Sequence, residues 1–149
     1  MKETERIADQ LRRAFYGDAW SGPSVRDALK GVTAETAARK AIPNAHSIWE
    51  LVHHITAWID IARRRALGEK VTVTKEMNFP PVRHITEKAW KESVRRMDRA
   101  EETLRQAILQ SPPALNDPKV YVLFHGAIQH SLYHAGQIVL LKKAADQSD

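Results

Sequence analysis

The chain has 149 residues, of which 43% are hydrophobic and 28% are charged, and this length and composition fit one globular domain with a buried core. It contains no cysteine, which excludes disulfides, thiolate metal ligands and a cysteine nucleophile, and which is compatible with the cytosol. The net charge is +5, from 23 Lys and Arg residues against 18 Asp and Glu residues, and this mild excess does not by itself indicate an anionic partner.

The N-terminal part of the chain is predicted to form one long helix followed by a long crossover. Residues 3–16 carry apolar side chains at helical spacing, and Gly17 follows them as a stop. Residues 18–43 contain a Gly-Pro pair and a further proline, so we expect an irregular connection with two short helical pieces, at residues 24–29 and 34–41.

The second long helix is predicted to begin at Ser47, which has the spacing of a capping box with Glu50. It runs to about residue 68, and three arginines in its last turns suit the negative end of the helix dipole. Its inward stripe includes His54 and Trp58. His53 lies about 100° further round the helix, on the side of Trp49 and Asp60.

A third helix is predicted at residues 87–110, with Thr86 as its N-cap. The preceding residues, 69–85, contain the alternating segment VTVT, which fits a short strand or an extended loop, and a double proline that excludes a helix there. The third helix has an apolar stripe that is interrupted by Glu101.

The last helix is predicted to begin after the loop at residues 111–117. Asp117 caps it, Pro118 occupies its first turn, and it reaches about residue 144 before a polar tail that we expect to be frayed.

Four amphipathic helices, three of them long and each with one apolar stripe, pack most simply as an all-α four-helix bundle. We therefore predict a single domain over residues 1–149. The connections between the first three helices are long crossovers, so the order of the helices need not be simple up-and-down.

Three histidines lie on the inward stripes of their helices. His130 and His134 are four residues apart in the segment HGAIQHSLYHAGQIVLL and therefore share one face of the last helix, while His54 lies on the second helix. Burying three imidazoles costs several kcal/mol unless each of them is satisfied. A metal ion satisfies all three at once, whereas a plain bundle with buried neutral histidines requires mutual hydrogen bonds.

Three neutral nitrogens leave at least one coordination position of a divalent ion open. Such a site suits Lewis-acid chemistry on a bound water, a thiolate or a carbonyl. Imidazole ligands accept zinc, nickel, copper or iron, and the sequence does not choose among them.

Other residues are weaker candidates for the same site. Gln137 is expected to form a hydrogen bond near it, with Trp58 in the pocket, and His46 and His84 are alternatives for the mouth of the pocket. Glu101 is a candidate for a fourth ligand, a partner of a ligand or a catalytic base. The favoured interpretation of Glu101 is a residue at the helix edge whose carboxylate reaches water.

The segment HGAIQHSLYHAGQIVLLKKA resembles the C-terminal signature of the DinB/YfiT-like superfamily of metal-binding four-helix bundles. AHSIWELVHHITAWIDIARRRALGE is similar to the second-helix region of that family, and the resemblance extends from about residue 40 onward. It implies a metal triad of His54, His130 and His134, although the doublet leaves His53 as an alternative. It further implies zinc or nickel, a homodimer, and relatives that include metal-dependent thiol transferases and maleylpyruvate-isomerase-like enzymes.

Our leading hypothesis is a cytoplasmic metal-dependent enzyme that activates a small thiol for transfer to an electrophile. The alternatives are a metal-dependent hydrolase with a carboxylate base, for which Glu101 is the candidate, and a non-catalytic dimeric bundle that binds a metal or a small ligand. A triad that opens to solvent favours catalysis, and a sealed triad argues against it. Basic residues are spread over all helices, and no apolar run approaches the roughly 20 residues that span a bilayer, so we expect neither a nucleic-acid nor a membrane partner.

Overall fold

Seven α-helices and no strand are present in the part of the chain that the computed structural model describes, residues 1–111 and 116–147. The predicted all-α fold is therefore confirmed, but three short helices accompany the four long ones. No helix among the described residues is long and apolar enough to cross a membrane. The helices are α1 (Glu3–Tyr16), α2 (Val25–Leu29), α3 (Ala34–Ala38), α4 (Ile48–Ala66), α5 (Lys75–Asn78), α6 (Glu87–Leu109) and α7 (Pro118–Asp146).

The ends of the long helices follow from local capping chemistry. The backbone N–H of Glu50 donates to Ser47 Oγ, and Glu50 Oε2 accepts from the backbone N–H of Ser47, which completes the predicted capping box of α4. Thr86 and Asp117 cap α6 and α7 as predicted. The predicted loop at 111–117 and the predicted polar tail lie partly in residues 112–115 and 148–149, outside the described residues.

The four long helices pack in a ring. Helix α4 packs against both α6 and α7, and α1 packs against the same two helices, so α1 and α4 face each other across the bundle. The crossover between them contains α2, which packs on α1 and α7, and α3, which packs on α4 and α6. This diagonal connection is why the crossover is long, and it departs from simple up-and-down order as the sequence allowed.

One continuous hydrophobic cluster lies inside this ring. Its largest fully buried side chains include Trp49 of α4, Phe15 of α1 and Phe124 of α7. Burying an aromatic side chain of this kind contributes roughly 2–3 kcal/mol each. The cluster fixes the register of α4 against α7, and the three candidate histidines project from these two helices.

A short segment that the sequence did not predict lies against α4. We call residues 75–81 the strap: it comprises α5, which Thr74 caps through its side chain, and the three residues after it. The VTVT residues before it are not a strand, so of the two alternatives the extended loop is the one found. The double proline ends α5 within the strap, as expected from the missing N–H groups of proline.

Candidate metal centre

Three imidazoles from α4 and α7 meet with their Nε2 atoms together. The Nε2 atom of His130 lies 3.1 Å from that of His54 and 3.0 Å from that of His134. Their ligand atoms all lie within 4.8 Å of one another. Residues on two helices that pack side by side therefore present three nitrogen ligands to one point.

The outer nitrogens of two of these rings are held by hydrogen bonds. His54 Nδ1–H donates to the backbone carbonyl of Asn78 at 2.6 Å, and His134 Nδ1–H donates to Gln137 Oε1 at 2.6 Å. A carbonyl oxygen accepts only, so each of these Nδ1 atoms carries the proton. Each Nε2 atom therefore keeps its lone pair, which points into the cluster. This is the tautomer that coordination of a metal through Nε2 requires.

The count of protons in the cluster favours a cation. A neutral imidazole has one N–H and one lone pair. Because His54 and His134 use their protons on outside acceptors, His130 is the only ring of the three that can place a proton between the Nε2 atoms. One proton satisfies one contact, and the other contact then joins two lone pairs at about 3 Å. A divalent ion accepts all three lone pairs, so these residues fit a metal ion.

Burial keeps the three imidazoles neutral. The pKa of His130 is lowered to about 4, first by burial and then by the neighbouring His134 and His54. The pKa values of His54 and His134 are also lowered by burial, against the opposing effect of the Asn78 carbonyl and of Gln137. Metal binding requires the neutral ring, so at neutral pH these ligands need not release a proton first.

Aromatic rings enclose the centre on several sides. Phe79 of the strap stacks on His54, with ring centroids 4.1 Å apart and an interplanar angle of 8°. The centroid of the Trp58 ring lies 5.8 Å from that of His130, and its indole N–H donates to the side-chain oxygen of Asn78. His54 and His134 are 6% and 7% exposed, whereas His130 is half-buried, so the centre is most open on the side of His130.

The two adjacent histidines of α4, His53 and His54, contact different parts of the molecule. His54 points into the cluster, whereas His53 points to α6, where its Nε2 accepts from the Ser93 hydroxyl at 3.0 Å. His53 Nδ1–H donates to the carbonyl of Pro80 at 2.9 Å. The structure thus assigns the inward position to His54, as the stripe on α4 predicts.

Glu101 is placed differently from the favoured interpretation of the sequence. Its side chain is fully buried rather than in contact with water, so that interpretation was wrong. Its nearest cation is Arg105, whose Nε lies 3.3 Å from Glu101 Oε1, and its other neighbours are Tyr16 and Asp98. These contacts join α6 to α1, and none of the three histidines is among them.

Several neighbours of the centre were not found from the sequence. Asn78 acts through its backbone carbonyl, which carries no residue signature, and Phe79 lies in a segment that was not assigned to a site. The Thr74 cap followed by helix-forming residues was the available signal for the strap. Of the two alternatives for the mouth, His46 stacks on Phe79 with centroids 3.8 Å apart, and His84 lines a separate cavity together with His53.

The comparison with protein families agrees with this arrangement. The family model of the DinB superfamily matches residues 20–138, a range that contains α4, α6 and all three clustered histidines. No curated protein and no solved structure matches the chain. Because the family match covers well over half of its length, the chain belongs to the DinB superfamily.

Proposed function

We propose that this chain is a metal-dependent enzyme that activates a small thiol and transfers it to an electrophile. The observation that carries the proposal is the convergence of the Nε2 atoms of His54, His130 and His134. The ion is zinc or nickel, both of which accept imidazole ligands. When bound, such an ion supplies a Lewis-acid position at which a thiol loses its proton at neutral pH.

The residues of the chain have separate tasks in this proposal. The Asn78 carbonyl and Gln137 hold the Nδ1–H groups of His54 and His134, which keeps both Nε2 lone pairs turned toward the ion. Phe79 and Trp58 exclude water from the flanks of the centre, which strengthens electrostatic interactions there. His130 is the most exposed of the three rings, so we propose that a substrate enters from its side.

Thiol transfer is favoured over hydrolysis because hydrolysis was expected to need a carboxylate base. The cluster that the described residues form contains three histidines and no Asp or Glu. Glu101, the carboxylate that the sequence offered, is engaged with Arg105, Tyr16 and Asp98 instead. A thiol with an ion-lowered pKa ionises without a protein base, and the chain needs no cysteine for it.

The first test is elemental analysis of the untagged protein beside the double variant His130→Ala, His134→Ala. We expect about one equivalent of zinc or nickel per chain, and its loss in the double variant. His84→Ala is the matched control, because it removes an exposed histidine from outside the cluster. Absence of metal after purification and after reloading with zinc or nickel contradicts the proposal.

Turnover is tested separately from metal binding. The metal-loaded protein is incubated with low-molecular-weight thiols and an electrophilic acceptor, and the thioether product is measured by mass spectrometry. Metal-dependent product that is absent in the double variant supports thiol transfer. Full metal occupancy without product from any thiol points instead to a non-catalytic metal-binding bundle.

We further propose that the protein is a homodimer in which the outer face of α7 is covered. Val122, Tyr133 and Leu140 are each more than 60% exposed and lie within about 20° of one another around the helix. The three side chains are roughly 16 and 10 Å apart along the helix and form a line of separate large apolar groups, to which we assign the contact. Sedimentation of the wild type as a dimer, and of Tyr133→Glu as a monomer, is the expected result; a monomeric wild type contradicts it.

A further inference from the structure

A second site lies on the other side of α4. An open cavity of about 710 Å³ lies between α4, α6 and residues 80–84, and its lining includes His53 and Ser93. Sites for small molecules usually have volumes of about 300–1,000 Å³. The cavity therefore has the size of a ligand site, and the metal-centre histidines do not line it.

The base of this cavity is a closed chain of hydrogen bonds. The Trp49 indole N–H donates to Ser93 Oγ at 2.9 Å, the Ser93 hydroxyl donates to His53 Nε2 at 3.0 Å, and His53 Nδ1–H donates to the Pro80 carbonyl at 2.9 Å. Each donor in this chain has an acceptor, so the base is rigid and needs no cation. Between these polar groups, small apolar side chains such as Ala57 leave room for the body of a ligand.

Of the two arginines that line the cavity, Arg83 has a partner, since its Nη2 lies 3.6 Å from Glu76 Oε1. The two carboxylates that line it are already paired: Asp60 lies 2.9 Å from Arg63, and Glu92 lies 2.7 Å from Arg99. Arg96 lines the cavity with an exposed side chain, and its guanidinium forms no ion pair or hydrogen bond with any of the described residues. An unpaired guanidinium at an apolar cavity matches the planar carboxylate group of a ligand.

We propose that this cavity binds a small organic carboxylate whose carboxylate group pairs with Arg96 and whose apolar body lies between α4 and α6. The opposite arrangement, an amine ligand on Asp60 or Glu92, requires breaking an existing ion pair. Binding here differs from coordination at the metal centre, because His53 and His54 point to different helices and are held by different carbonyls of the strap.

Two tryptophans report on the two sites separately. The indole N–H of Trp49 lies at the base of the cavity, and that of Trp58 donates to Asn78 beside the metal centre. The experiment is an NMR titration of ¹⁵N-labelled protein with benzoate, in which spectra of Trp49→Phe and Trp58→Phe assign the two indole signals. We expect benzoate to shift the Trp49 signal, with a Kd of the order of 1 mM, and to leave the Trp58 signal in place.

Arg96→Gln is expected to weaken benzoate binding by up to about fivefold, to the level of the neutral probe benzamide. Lys91→Gln is the matched control, because it removes one positive charge from an exposed position of the same helix that does not line the cavity. Its benzoate affinity should equal that of the wild type. The double variant His130→Ala, His134→Ala should also retain the Trp49 shift.

Three results overturn the proposal. The first is a shift of the Trp58 signal alone, which places the carboxylate at the metal centre. The second is equal affinity for benzoate and benzamide, which makes the cavity merely apolar. The third is no change in the Trp49 signal at millimolar benzoate.

Discussion

Adjacent residues of α4, His53 and His54, differ in what their Nε2 atoms meet. Both rings donate Nδ1–H to a backbone carbonyl of the strap, His53 to Pro80 and His54 to Asn78. The Nε2 atom of His53 then faces donors, whereas the Nε2 atom of His54 faces the Nε2 atom of another imidazole. Two histidines that are held in the same way, through Nδ1–H, therefore differ at Nε2. The Nε2 atom of His53 accepts hydrogen bonds, whereas that of His54 faces another imidazole nitrogen and has no fixed hydrogen-bond donor.

This difference teaches that the balance of donors and acceptors, rather than burial, distinguishes a metal ligand from a structural histidine. Burial lowers the pKa of both His53 and His54, so the direction of the pKa shift does not separate them. A complete chain of donors and acceptors stabilises the fold without a ligand. A set of facing lone pairs is one that a cation would satisfy, and this distinguishes the candidate site around His54 from the network around His53.

The comparison between His53 and His54 is tested most strongly by metal binding, which we expect to be lost in the His54 variant and kept in the His53 variant. His54→Ala removes one of three ligands, so we expect the metal affinity to fall by more than the 10–100-fold typical for loss of an outer partner. His53→Ala should retain about one equivalent of metal. Zinc competition with a chromogenic chelator measures both affinities, and circular dichroism checks that both variants fold. Equal losses in the two variants contradict the assignment of His54.

A smaller effect is expected at Gln137, which holds His134 in the ligand tautomer. Gln137→Leu keeps the side chain in place but removes the acceptor, so His134 is free to move its proton to Nε2. We expect the metal affinity to fall by about 10–100-fold with all three ligands still present. Gln129→Leu, an exposed position on the same helix, is the control and should not change the chelator competition.

The network around His53 is tested by stability rather than by metal content. Ser93→Ala removes the hydroxyl that bridges the Trp49 indole and His53 but leaves the direct contact of the indole N–H with His53 Nε2 at 3.1 Å, so we expect it to lower the free energy of unfolding by about 1 kcal/mol. Ser131→Ala is matched, because Ser131 is also buried in a helix, but its hydroxyl donates only to the carbonyl one turn earlier. That control should stay within about 0.5 kcal/mol of the wild type. Urea denaturation measures both, and metal loss from Ser93→Ala alone would show that the two networks are coupled.

The long helices and the meeting of the three histidines were predictable because their signals are local or periodic. Capping residues at Ser47, Thr86 and Asp117 mark helix starts within one residue, and inward stripes place His54, His130 and His134 on packed faces. The angular spacing of side chains around a helix is fixed, so inward positions on two helices that pack together bring their side chains together.

What could not be predicted depends on tertiary partners or on the backbone. Ser93 is an ordinary helix residue in the sequence, and only the packing of α6 against α4 places it beside His53. The Asn78 carbonyl contributes through the main chain, and α5 is too short to show a helical period. Glu101 lies at an inward position of its stripe, but a charged side chain in the sequence favours a helix edge that contacts water. The Glu101 side chain is buried as its helix position dictates, because Arg105, one turn later on α6, places a positive charge beside the carboxylate.

The smallest expected effect is at Glu101, a buried carboxylate whose neighbouring cation is a side chain of the protein, Arg105. Burial raises its pKa above the ordinary 4.5, against the lowering effects of Arg105 and Tyr16. A carboxyl group with a raised folded-state pKa stabilises the fold fully below the unfolded pKa, and this contribution is lost as pH rises through the folded pKa. At neutral pH the ionised group therefore weakens the fold relative to a neutral side chain of the same shape.

Glu101→Gln removes this titration and keeps an acceptor beside Arg105. We expect the variant to be more stable than the wild type by about 1 kcal/mol at pH 7.5, with the advantage shrinking as pH falls toward 4.5. Urea denaturation of both proteins across this range gives the difference, in which contributions of groups common to both proteins largely cancel. Glu102→Gln, the exposed neighbour that also contacts Arg105, should show little of this dependence. A Glu101→Gln variant that is less stable at every pH would mean that the attraction between Glu101 and Arg105 outweighs the cost of burying the charge. In that case a cation from the chain would be enough to stabilise a buried carboxylate.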